Sequence, residues 1–243
     1  MTTFQDLQIQ FEQRFDGGYR FFDKCGEFVS ALREELGFML LNVNLTGCDL
    51  ESPDTSLRLR ASADQLFVVS TEPEKQNEFV RVADFASKTA IELFSPFVVE
   101  YNQLSLSSLQ QAPSLQASFS RSINLLPTPI QELSEELNLP ALNQDFTLSF
   151  ESGTLRVHVR MQPAVRNVSV SERRLPVLGL PKAQAEHLLR REKKISAKVE
   201  TPSYGVTLDI LVVESEPVTE VSIGDLCETL VQYKKKVLKF LKS

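Results

Sequence analysis

The side chains able to make or break covalent bonds are few and far apart. Two histidines, His158 and His187, stand 29 positions from each other, and the cysteines are Cys25, Cys48 and Cys227. There is no Cys-x-x-Cys or His-x-x-x-His spacing, so no structural zinc site is expected. Gly17-Gly18 lacks the further glycines of a dinucleotide loop; no Gly-Lys-Ser/Thr phosphate loop and no Gly-x-Ser-x-Gly elbow occur. Glu34/Glu35 and Glu135/Glu136 are neighbours on predicted helices, where adjacent side chains point apart. Each cysteine reads as a small buried residue, as free cysteines most often are. No catalytic residue, metal or cofactor is predicted, and the chain reads as a binding protein rather than an enzyme.

Groups that could bind are easier to find. Residues 156–198 hold 11 Lys and Arg against three Glu, inside a chain whose net charge is −6. Arg173, Arg174, Arg190, Arg191, Lys193 and Lys194 are the candidate partner-binding residues, and such a field attracts an acidic protein or a phosphate backbone. The block contains no aromatic residue for base stacking, which favours a protein partner over a single-stranded nucleic acid. A second candidate set, for the alternative of a small-ligand-binding protein or an enzyme with a cavity between sheet and helices, is Arg121, Asn124, His158 and Arg160. His158 sits between Arg156 and Arg160 on one predicted strand face.

These groups need elements to hold them. Residues 7–15 alternate apolar and polar, as a half-buried strand does. Residues 19–36 shift to helical spacing through Phe21, Cys25, Phe28, Val29 and Leu32, and Gly37 stops the helix. Strands are predicted at 38–45, in a 57–60/66–69 hairpin and at 98–106, with residues 47–53 as a turn. A helix opens at Glu72 and ends at Pro96. Alternation from Leu115 to Leu125 predicts a strand that carries Arg121 on the face of Phe119 and Ile123. A helix over 128–138, a hairpin over 145–162 turning at Glu151-Ser152-Gly153, a connection over 163–180, a basic helix over 182–194, a strand over 206–213 and a helix over 222–240 complete the chain.

Val68-Val69-Ser70-Thr71-Glu72-Pro73 is matched by Val212-Val213-Glu214-Ser215-Glu216-Pro217. Counting on from each proline, Phe79, Val82, Ala86 and Leu93 fall opposite Ile223, Leu226, Leu230 and Val237. The expected fold is α+β: one domain, 1–243, whose antiparallel sheet comes from two β-α-β-β-α pseudo-repeats with helices on one face. The halves are 1–97 and 114–243, joined by a connection at 98–113, with a basic insertion at 163–200.

Residues 121–126, Arg-Ser-Ile-Asn-Leu-Leu, resemble the Arg-Tyr-Ile-Asn-Arg-Ile signature of a sporadically distributed family of bacterial proteins often encoded near toxin–antitoxin or defence genes. Arg121, Ile123 and Asn124 match; Ser122 and Leu125 replace Tyr and Arg. The resemblance implies a regulatory or interaction subunit in a bacterial defence or toxin–antitoxin system. Three unframed cysteines and an N-terminus without a basic segment followed by an apolar run give a cytoplasmic expectation. No apolar run approaches the roughly 18 residues that span a membrane.

Overall fold

The computed structural model describes residues 4–44, 46–125, 146–166, 203–215 and 222–241. Among these, nine strands form one open antiparallel sheet accompanied by four helices. The chain runs β1 (Gln5–Asp16), α1 (Phe21–Leu36), β2 (Met39–Asn44), β3 (Gly47–Glu51), β4 (Leu57–Ala61) and β5 (Gln65–Ser70). It continues through α2 (Gln76–Phe94), β6 (Val98–Ala112), α3 (Leu115–Leu125), β7 (Phe146–Ser152), β8 (Leu155–Arg166), β9 (Ser203–Ser215) and α4 (Ile223–Phe240). The strand order is β2-β3-β4-β5-β1-β6-β9-β8-β7.

The period-two pattern sets one apolar face of the sheet. Ile9, Phe11 and Phe15 of β1 are buried, while Gln8, Gln10, Glu12 and Arg14 between them are half-exposed. One row of this buried face crosses the whole sheet. Phe11 pairs with Leu104 at the centre; Val68, Leu59 and Leu50 follow on one side, and Val212, Val157 and Phe150 on the other. Helices α1, α2 and α4 join their buried stripes to this face in one apolar cluster. Gly37 ends α1 in the left-handed conformation, at φ 69°, where its N–H reaches Arg33 O. A residue with a Cβ is strained there. Ser222 caps α4 by accepting from Asp225 N at 3.2 Å.

Three segments differ from the sequence reading. Residues 115–125 are a helix, not a strand. Ser114 Oγ accepts from Ala117 N at 3.1 Å and caps it. The buried stripe is built from serines: Ser118 and Ser122 are buried, and their hydroxyls donate to the Ser114 and Phe119 carbonyls at 3.0 and 2.8 Å. Because this stripe is not apolar, the alternating residues dominated the pattern. Residues 47–51, expected within a turn, are a strand that sends Cys48 and Leu50 inward. Gly47 leaves room there: a Cβ would come 2.8 Å from Ala61 O. The strand expected at 98–106 is present but longer: β6 runs on to Ala112, at the middle of the sheet. The helices expected at 128–138 and 182–194 lie outside the described residues.

Candidate functional site

The edge hairpin β7–β8 turns at Gly153, whose φ of 61° suits glycine. Phe146, Leu148 and Phe150 of β7 and Leu155, Val157 and Val159 of β8 line an apolar groove of about 530 Å³. Its other wall is the C-terminal half of α4, with Tyr233, Val237 and Phe240. The same row of the sheet reads very differently on its two sides, counted from the central Phe11–Leu104 pair. Leu50, on β3 inside the edge strand β2, is 0% exposed, whereas Phe150, on the edge strand β7, is 55% exposed and Phe240 of α4 is 49% exposed. Large apolar side chains left this open beside a groove are a feature that binding surfaces share.

The cause is the placement of the helices. On the β3 side, α1 packs against α2 and β3, and Phe28 and Leu32 are fully buried. On the β7 side, α3 lies across β6, β9 and β8 instead. Among the described residues, no helix other than α4 lines the groove.

Two charged groups lie at its rim. Lys236 Nζ stands 5.4 Å from the Tyr233 ring centroid, and Glu151 pairs with Arg156 at 3.3 Å. Lys235 and Lys239 are exposed on the same last turns of α4. A wall of this kind can bury an apolar surface and orient a charge, but it holds no nucleophile with a base beside it. Among the described residues there is no cluster of three or more potential metal ligands. The Cys227 thiol is on the buried face of α4, where burial pushes it up to about 11, although Gln76 donates to its sulfur at 2.8 Å. Burial likewise pushes the Cys48 thiol up, reinforced by neighbouring Cys25. Neither is poised as a thiolate.

The residues singled out from the sequence are elsewhere. Arg121 is on α3, where its guanidinium donates to the Gln111 carbonyl, and Asn124 is exposed on the same helix. His158 and Arg160 lie on the face of β8 opposite Val157 and Val159; His158 Nδ1 is 2.8 Å from Ser149 Oγ. None of the four lines the groove. Arg173, Arg174, Arg190, Arg191, Lys193 and Lys194 lie outside the described residues, as does Leu126 of the signature. The groove itself was missed, although Phe146, Leu148 and Phe150 alternate in the sequence; their openness depends on where the helices fall.

No family model matches the chain, and no curated protein matches it. No helix among the described residues is long and apolar enough to cross a membrane.

Proposed function

We propose that this chain is a non-enzymatic protein-binding or regulatory module, and that the groove between β7–β8 and α4 is its docking surface. The exposure of Phe150, in the row position where Leu50 is fully covered, carries the reading. Arg156 pairs with Glu151 at its rim, and the excess of Lys and Arg over 156–198 in the sequence favours an acidic partner. By the resemblance at Arg121, Ile123 and Asn124, the setting is a bacterial defence or toxin–antitoxin system.

A duplication underlies the arrangement. Equivalent register positions occur on both sides of the Phe11–Leu104 pair, so that Val68 matches Val212 and Leu59 matches Val157. The helix stripes follow the same offset, with Phe79, Val82 and Ala86 buried as Ile223, Leu226 and Leu230 are. The second unit then begins at β6, and the groove is where the two units diverge.

The test is affinity capture from the native host with wild type, Phe150→Asp and, as a control on the opposite sheet face, Gln10→Ala. The partner should be lost with Phe150→Asp and retained with Gln10→Ala. Equal capture by Phe150→Asp and wild type overturns the reading.

A further inference from the structure

We infer that the groove seats an amphipathic α-helix with an acidic outer face, supplied by a partner protein and held as α1 is held on the other side of the sheet. This rests on the groove being the docking surface and names the occupant's chemistry. The first ground is geometric. On one side α1 packs on β3, the strand of Leu50, and on α2, and Leu50 and its row neighbour Leu59 are buried; on the other, the corresponding pair Val157–Phe150 lies beside α4 with its outer member open. A site bounded by a sheet and one helix, and filled by a second helix in its counterpart, has the shape of a helix seat.

The second ground is charge. The occupant of the counterpart, α1, carries Asp23, Glu27, Glu34 and Glu35 against Lys24 and Arg33. Lys236 lines the rim of the groove, and Lys235 and Lys239 are exposed on the same turns of α4. An incoming helix with acids flanking an apolar stripe of Phe28-Val29-Leu32 type places its charges against these lysines and its stripe on Phe150, Val157 and Val237.

The experiment uses the full chain and a fluorescein-labelled synthetic peptide with the sequence of residues 19–37, Ser replacing Cys25. Fluorescence anisotropy should give saturable binding at one site, weakened roughly tenfold or more by Phe150→Asp, as loss of a central aromatic anchor does. It should also weaken with salt and with Lys235→Glu/Lys236→Glu/Lys239→Glu. The second variant keeps the test open if Phe150→Asp unfolds, which circular dichroism reports. Absence of saturable binding, or binding indifferent to both variants, overturns the proposal. In a Cys25→Ser background, thiol labelling of Phe150→Cys should be fast in the isolated chain. Slow labelling would mean that the chain itself fills the groove. A dimer of the wild type that Phe150→Asp dissociates would assign the groove to a second copy; either result overturns the partner helix. Peptide failure with native capture still dependent on Phe150 would remove the acidic helix and leave the docking surface standing.

Discussion

Gln13, Asn102 and Ser87 form a polar island in an otherwise apolar interior. Gln13 Nε2 donates to Asn102 Oδ1 at 3.0 Å, and Ser87 Oγ donates to Gln13 Oε1 at 3.1 Å. Gln13 and Asn102 face each other across β1 and β6, and both are fully buried. Replacing one amide leaves the other without its partner in a medium that cannot solvate it. Asn102→Leu should therefore cost about 1–3 kcal/mol. Asn102→Leu/Gln13→Met should recover a large part of that, because both amides are gone. Urea melts of the two variants check this; equal loss in both would mean that packing, not pairing, sets the cost. A different kind of residue effect sits in the turn before β4. Partial burial alone would raise the Asp54 carboxyl, but the hydroxyls of Ser52 and Ser56, the Ser56 N–H and Lys75 hold it well below the usual carboxylate range. With its folded pKa below the unfolded value of about 3.9, Asp54 contributes stability that is present above that pH and lost as pH falls below it. Asp54→Asn should cost about 1 kcal/mol at pH 7, discounted for its exposure to solvent. The gap from wild type should close as pH drops below about 4, which thermal melts across pH measure; a gap constant with pH would refute the role of the charge.

At the scale of elements, α3 separates what the sequence makes visible from what it hides. Its buried positions are Ser118 and Ser122, which lie in close contact with the sheet because they are small and satisfy their hydroxyls on the helix's own carbonyls. Ser118→Leu should thus destabilise by about 1–3 kcal/mol through overpacking, whereas Ser120→Leu, two positions on and exposed on the opposite face of the helix, should stay within about 0.5 kcal/mol. Similar effects at both positions would contradict the packed stripe. The α1 helix, by contrast, was legible: Phe21, Phe28, Val29 and Leu32 recur at helical spacing and Gly37 closes it. So was α4, from the Ile223, Leu226 and Leu230 stripe. Pattern reading works where burial selects apolar residues and fails where it selects small polar ones. It also fails at β3, whose Gly47 and Asp49 resemble turn residues while the strand pairs on both sides. The groove was illegible for another reason. Alternation gives the inward face of β7, but whether a helix covers that face depends on where α1 and α3 lie, which no local window contains.

For the whole molecule, the seam between β1 and β6 decides whether the two sides of the sheet behave as one body. The pairing runs from Gln5–Leu109 to Asp16–Val98, with two register shifts, and places Phe11 against Leu104 and Ile9 against Leu106 in the buried face. Residues on both sides of the seam, from Leu50 to Val157, belong to a single apolar cluster. Gln76, at the start of α2, also reaches Cys227 on α4, joining the helix layer over the seam. If one side opened alone, it would expose the inward face of β1 or β6 along most of its length, including Phe11 and Leu104. The cost of baring such surface scales with its area, at about 25 cal/mol per Å², and should suppress partly unfolded states. Urea unfolding followed by far-ultraviolet circular dichroism and by labelling of Cys48, on one side, and Cys227, on the other, should therefore give one coincident transition. Phe11→Ala, which removes a fully buried ring at the centre, should shift all three signals together by about 3–5 kcal/mol. Earlier labelling of Cys227 than of Cys48, with a second transition in the dichroism, would mean that the seam joins two units which fold separately.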